Sequence, residues 1–287
     1  MSKPIAIIAG EPNSISSEII FKSWKLRNKF NHKSFFIIGN IDLLIKQNKK
    51  LKCNVKIKEI DSNFNIKDLS TNSLPVYNIK YNQKKSFQKI TDKSSKYILE
   101  CFNVAINFIK QNKIQGLVNC PVSKEHLLKN KHLGITEFLS KKLNVKENEV
   151  MLIFNKKLSV SPLTTHIPLN KVNRHINKKK IIKKIKIINS FYKTKFKKKP
   201  IIGVLGLNPH NYSTEKNSEE NKIIIPALKT LKDNKIVVFG PLSPDSSFVV
   251  YKKYKFDVIV GMYHDQVLTP IKTIMGFKAI NITLGLP

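Results

Sequence analysis

The feature that most restricts this chain is a repeated alternation: a short apolar run closed by glycine or proline, then a longer amphipathic stretch. Pro4–Ala9 ends at Gly10, Ser34–Ile38 at Gly39-Asn40, and Gly116–Cys120 at Pro121. Runs this short and continuously apolar predict strands buried on both faces, as in a parallel sheet. Between them, Ser16–Lys29 has helical spacing through Ile19, Ile20 and Trp24, and Ile41–Gln47 reads as a helix. Ser95–Gln111 sets Ile98, Leu99, Phe102, Ala105, Ile106 and Ile109 on one helical side. Lys49–Gln88 is the least regular stretch and is expected to hold edge strands and loops.

The alternation continues. Val150–Phe154 and Leu158–Leu163 predict a strand pair turned by Asn155-Lys156-Lys157, and Lys178–Tyr192 a helix with an isoleucine stripe under a lysine-rich face. Ile201–Leu205, Ile236–Phe239 and Asp257–Val260 predict strands, separated by helices around Glu219–Leu231 and near Ser246–Tyr254, with Ala279–Leu284 as the last strand. This order predicts an α/β protein with a largely parallel sheet.

Composition narrows the class further. The 287 residues admit one large or two moderate domains, and 41% hydrophobic residues exclude wholesale disorder. No apolar run reaches the roughly 18–20 residues of a membrane span. The N-terminal apolar stretch is too short for a signal peptide and is followed by Glu11. Cys53, Cys101 and Cys120 are too far apart for a disulfide framework or a zinc cassette, so a cytoplasmic location is expected. Lys+Arg total 52 against 19 Asp+Glu, a net charge of +33, which invites a polyanion partner. All but Arg27 and Arg174 of those cations are lysine, whereas nucleic-acid readers favour arginine. Lysine spread over the whole chain, with abundant Asn and Ile, fits compositional drift; no specific nucleic-acid partner and no membrane is expected, while anionic small molecules are attracted.

Three segments place a histidine just after an apolar run: Thr164-Thr165-His166, Asn208-Pro209-His210 and Tyr263-His264-Asp265. Ligands of α/β sheets bind at strand carboxyl ends, and three histidines are a common catalytic metal set. The separations of 44 and 54 residues mean that only the fold can bring them together; the alternative is three unrelated surface or core histidines. Asp265 and Asp245 are each either a carboxylate that orients an imidazole or a turn or N-cap aspartate. Gly10-Glu11-Pro12, after the first strand, suits a phosphate or substrate loop, or a plain strand–turn–helix with Ser16 or Ser17 as N-cap. It is not a dinucleotide fingerprint, having one glycine. Cys120 has no orienting base and is not expected to be a nucleophile; Lys124 and Lys272 are the cations favoured for substrate.

Tyr263-His264-Asp265-Gln266, Lys272, Gly276-Phe277 and Asn281-Ile282-Thr283-Leu284-Gly285-Leu286-Pro287 resemble the 4-hydroxythreonine-4-phosphate dehydrogenases of pyridoxine (vitamin B6) biosynthesis. Leu207-Asn208-Pro209-His210 with Glu219-Glu220, Thr164-Thr165-His166-Ile167-Pro168-Leu169, Gly240-Pro241-Leu242 with Asp245, and Thr136-Glu137-Phe138-Leu139 fit the same family in order. The resemblance implies an isopropylmalate-dehydrogenase-like fold: two α/β/α domains with a cleft between them, in a homodimer whose site is shared between subunits. On that basis residues 1–125 form the first domain, completed by 265–287, and 126–264 form the second, with the metal site and dimer interface. It implies that His166, His210 and His264 hold a divalent metal (zinc, magnesium or cobalt). Thr136, Lys272 and Asn281 would bind substrate, and Lys272, Asp245 and Asp265 would serve catalysis. It implies oxidation of the 3-hydroxyl of 4-phosphooxy-L-threonine with NAD or NADP, then loss of carbon dioxide to 3-amino-2-oxopropyl phosphate. The residues that hold the dinucleotide are left unassigned.

Four departures stand out. Ile135 replaces a family histidine, Ser14, Ser16 and Ser17 stand where the early loop has glycines and proline, and Asn211-Tyr212-Ser213-Thr214 replaces a glycine-rich stretch. The family also continues past the position of Pro287 with a segment that supplies a substrate-binding arginine, which this sequence lacks. These leave two alternatives: a dehydrogenase of a four-carbon sugar-acid phosphate (threonate or erythronate), or a non-catalytic homologue.

Overall fold

The computed structural model describes residues 3–29, 34–69, 72–128, 134–145, 148–211 and 215–286. Within it the chain separates into two compact units, 1–134 and 135–286.

The first unit runs β1 (Ile5–Ile8), α1 (Ser16–Leu26), β2 (Phe35–Gly39), α2 (Ile41–Lys50), β3 (Ile57–Ile60), a short α3 (Ile66–Leu69), β4 (Leu74–Asn78), α4 (Ser95–Lys110), β5 (Gly116–Asn119) and α5 (Lys124–Leu128). Its five strands are all parallel, in the order β3-β4-β2-β1-β5. The irregular stretch therefore supplies one edge strand, β3, and one interior strand, β4. Helices cover both faces. Ile20, Phe21 and Trp24 of α1 and Leu44 of α2 pack with Ile37 and Val76 on one side, and Phe108 of α4 meets Phe36 edge-on on the other. Gly10 closes β1 with φ +74°, and a Cβ there would stand 2.5 Å from the Pro121 carbonyl, so only glycine lets the β1 and β5 ends close together.

The second unit runs α6 (Ile135–Lys142), β6 (Val150–Phe154), β7 (Ser159–Pro162), α7 (Lys178–Phe196), β8 (Ile202–Leu205), α8 (Ile225–Asp233), β9 (Val238–Leu242), α9 (Pro244–Val250), β10 (Val258–Gly261), α10 (His264–Met275) and β11 (Ile280–Leu284). The strand order is β11-β6-β7-β10-β8-β9. β7, β10, β8 and β9 are parallel, while β6 is antiparallel to both β7 and β11. α7 begins at Asn177, whose side chain accepts the Lys180 N–H, and buries Ile181, Ile185, Ile188 and Tyr192. These join α8 over one sheet face, while Phe248, Val267, Leu268 and Ile271 of α9 and α10 cover the other.

The observed division differs from the expected one. The break falls between Gly134 and Ile135, and residues 265–286 stay with the second unit instead of completing the first. The reason is packing. β11 pairs with β6 over five residues, Ile282 and Leu284 enter the second core, and the apolar side of α10 seals β7 and β10. The long α10, with Pro270 inside it, was not foreseen from the sequence. Neither Ser16 nor Ser17 caps α1: the N-cap is Ile15, without a side-chain bond. Tyr212, Ser213, Thr214 and Pro287, named above among the departures and motifs, lie outside the described residues.

Candidate active site

The three expected histidines follow three strands that lie side by side. His166 comes after β7, His264 after β10 and His210 after β8, and Asp245 follows the next strand, β9. Because β7, β10, β8 and β9 are parallel, all four residues belong to one carboxyl edge. Neighbouring strands sit about 4.8 Å apart, so this topology turns sequence separations of 44 and 54 residues into adjacency.

Hydrogen bonds tie the strand ends together. Thr164 donates its hydroxyl to the Met262 carbonyl at 2.7 Å, joining the β7 and β10 ends. Gln266 takes the Met262 N–H at 2.6 Å and donates to the Gly206 carbonyl at 2.8 Å, joining β10 to β8. The fully buried Glu220 accepts the N–H groups of Leu207 and Asn208 at 2.7 and 2.9 Å and so fixes the turn that leads to His210. His210 itself adopts a left-handed φ of 52°.

The His166 and His264 rings lie 5.8 Å apart, centre to centre, at 41°. Two imidazoles on one tetrahedral ion have centres about 5 Å apart, so the spacing of this pair is compatible with a shared ion. Each Nδ1 faces a carboxylate: His166 faces Glu137 at 3.2 Å, and His264 faces Asp265 at 2.9 Å. An ionised carboxylate only accepts, so each Nδ1 carries the hydrogen and each Nε2 offers a lone pair. The donor set therefore fits a divalent cation such as zinc. His210 does not complete a trio in one chain, since no group of three metal-binding side chains occurs among the described residues. Its ring is 83% exposed, with Nδ1 3.7 Å from Asp245. The Asp245 carboxyl is held below its usual range, first by the Ser243 hydroxyl, with smaller help from the Ser246 N–H and His210.

The substrate candidates divide. Thr136, on α6, shares a 3.0 Å hydroxyl contact with Thr283, on β11. Asn281 lies two residues before Thr283 and so on the same strand face. Lys272 is exposed, eight residues along α10 from His264 and about 12 Å further along its axis, and the structure does not bring it to the histidine pair's own turn. Lys124 begins α5 in the first unit, exposed. The Gly10-Glu11-Pro12 loop does not suit a phosphate. Glu11 is buried at its start, accepting from Ser94 and the Asn13 N–H. Cys120 is buried, which pushes its thiol up to about 11, away from nucleophilic use. The residue that sequence reasoning missed is Glu137. It stood inside a quoted motif, but only the fold shows which imidazole it meets.

The sequence model of the pyridoxal phosphate biosynthetic protein PdxA matches residues 31–287. The 4-hydroxythreonine-4-phosphate dehydrogenase of Sulfurihydrogenibium sp. is 38% identical over 99% of this chain and 87% of its own length. A relative from Oceanobacillus iheyensis, whose name proposes D-threonate 4-phosphate dehydrogenase activity, is 31% identical over 99% of this chain and 87% of its own. The solved 4-hydroxythreonine-4-phosphate dehydrogenase of Burkholderia phymatum superposes with a TM-score of 0.84 at 26% identity, covering 100% of this chain and 88% of that one. The histidine-bearing sheet edge, the matched motifs and this coverage agree: the chain belongs to the PdxA family, oxidoreductases with the isopropylmalate-dehydrogenase-like fold.

Proposed function

We propose that this chain oxidises the 3-hydroxyl of 4-phosphooxy-L-threonine with NAD or NADP, and that the resulting β-keto acid loses carbon dioxide to give 3-amino-2-oxopropyl phosphate. The observation that carries this is the His166–His264 pair, 5.8 Å apart and backed by Glu137 and Asp265, in a chain of this family. His166 and His264 would hold the cation through Nε2, with His210 supplied across a homodimer interface; its high exposure and its absence from any trio in one chain support that arrangement. A bound zinc, magnesium or cobalt ion supplies a Lewis acid that acidifies the hydroxyl and polarises the ketone. Asp265 would orient the His264 imidazole, which it meets at 2.9 Å, and Asp245, 3.7 Å from His210 Nδ1, would serve His210 by charge. Thr136 and Asn281 would offer a hydroxyl and an amide to the substrate, a reading supported by the Thr136–Thr283 contact that brings α6 to β11, and Lys272 would supply a cation for the phosphate. The loop after β1 does not fit a dinucleotide phosphate, so no residue is assigned to the nicotinamide cofactor. A metabolic enzyme of this kind works in the cytoplasm; among the described residues no helix is long and apolar enough to cross a membrane.

A second reading, oxidation of threonate or erythronate phosphate, is favoured by Ile135, an aliphatic residue beside Thr136 that cannot donate to a substrate oxygen. The test is NAD(P)H formation from each substrate, with each divalent ion, before and after Ile135→His. Losing one hydrogen bond to a charged group costs about 1.5–3 kcal/mol. Weak use of 4-phosphooxy-L-threonine, tightened about tenfold or more in KM by Ile135→His, is the expected result. Turnover of only the sugar-acid phosphate replaces the substrate, and turnover of neither identifies a non-catalytic homologue.

A further inference from the structure

We propose that Glu137 is the positioning residue of His166, and that it couples cation binding to substrate binding because it shares a helical turn with Thr136. The inference deepens the site described above and rests on its metal reading. Glu137 Oε1 faces His166 Nδ1 at 3.2 Å and takes the Thr165 hydroxyl at 3.4 Å, so one carboxylate oxygen steadies both the imidazole and the residue before it. The neighbouring Thr136 reaches the other way, to Thr283 on β11, the strand that also carries Asn281. The first turn of α6 thus links the imidazole to β11, the strand that carries Asn281. Its far end is pinned by the Ser140 hydroxyl, 2.8 Å from Glu149, and by the buried Phe138 and Leu139.

The second oxygen of Glu137 is buried and has no hydrogen-bond partner among the described residues. A buried carboxylate left half-satisfied is costly unless a positive charge faces it. Lys184 is buried on α7; burial, then Lys180, loosens its proton, and the charges of Glu149 and then Glu137 only partly oppose that. This link is therefore held by hydrogen bonds from the His166 side, with Lys184 as a buried cation on the α7 side. When substrate fixes Thr136, the same turn fixes Glu137 and His166, and by linkage a cation that orders His166 favours substrate in equal measure.

Three preparations of the full chain test this: unaltered, Glu137→Ala and Glu137→Gln, each checked for fold by near-ultraviolet circular dichroism. The readouts are the imidazole 15N shifts of His166 and zinc affinity, measured with and without 4-phosphooxy-L-threonine and without nicotinamide. In the unaltered chain His166 is expected as the Nδ1–H tautomer, with zinc shifting its Nε2 resonance and substrate tightening zinc. Glu137→Ala is expected to mix the tautomers, weaken zinc 10–100-fold and abolish the tightening by substrate. Glu137→Gln keeps an accepting oxygen and should recover most of the affinity. Equal loss in both folded variants, or none in Glu137→Ala, overturns the proposal. Zinc that leaves His166 unmoved in the unaltered chain overturns instead the metal reading on which it rests.

Discussion

At the carboxyl end of the first sheet, Glu11 is 1% exposed and both its oxygens are occupied, one by the Asn13 N–H and one by the Ser94 hydroxyl at 2.6 Å. Around it, Gln47 donates to the Pro12 and Ser86 carbonyls, Gln83 pairs with Asn13, and Tyr97 takes the Asn40 N–H. At the carboxyl end of the second sheet, His264 and His166 are about a third exposed, and Asp265 is 78% exposed. There each imidazole uses one nitrogen for a carboxylate, and the other has no partner among the described residues. The two ends occupy equivalent places in two α/β sheets, where ligands are expected. Burial and saturation separate them: apart from the Ser17 hydroxyl, which has no partner among the described residues, the buried groups around Glu11 bond one another and make a scaffold, whereas partly exposed imidazoles with spare lone pairs make a site.

The largest effect that sharpens this contrast is at Lys184, a buried cation of the second unit for which the structure gives no hydrogen bond among the described residues. Burial, then Lys180, lowers it from 10.5 to about 8, against the opposing pull of Glu149 and Glu137. Below about pH 8 it is protonated whether folded or not, and the folded state carries the full penalty. From about 8 to 10.5 the unfolded chain binds the extra proton, so stability rises with pH across that window. The gain is on the order of 3 kcal/mol. Urea midpoints across that range should climb in the unaltered chain and stay flatter in Lys184→Met. Parallel curves would show that Lys184 is not the strained group.

A smaller effect is expected in the first unit. Glu11→Ala strands the Ser94 hydroxyl and the Asn13 N–H, at a cost of about 2 kcal/mol in urea unfolding. Zinc affinity of the folded protein should be unchanged. A folded Glu11→Ala protein that has lost zinc would break the division between scaffold and site.

Much of this was legible in the sequence. The alternation of apolar runs and amphipathic stretches located β1, β2, β8 and β10 to within a residue or two, because interior strands of a parallel sheet leave little choice of residue. It also located β5, although that edge strand leaves Val118 and Asn119 exposed rather than buried on both faces. His166, His210 and His264 stood out by their place after such strands. What stayed hidden depends on tertiary partners. α10 begins on the histidine motif and contains Pro270, a residue that normally argues against a helix, yet the core beneath Val267, Leu268 and Ile271 holds it. The attachment of β11 to β6 rests on an antiparallel register that no local pattern encodes. Glu137 and His166 lie 29 residues apart, and no spacing rule joins them.

The most direct test of the account is cobalt(II) titration of the full chain, read by visible absorption. One ion per chain with nitrogen-rich tetrahedral bands is expected, lost in His166→Ala and in His264→Ala and retained in Glu11→Ala. Undiminished binding in both histidine variants would contradict the assignment of the second sheet's carboxyl edge as the site.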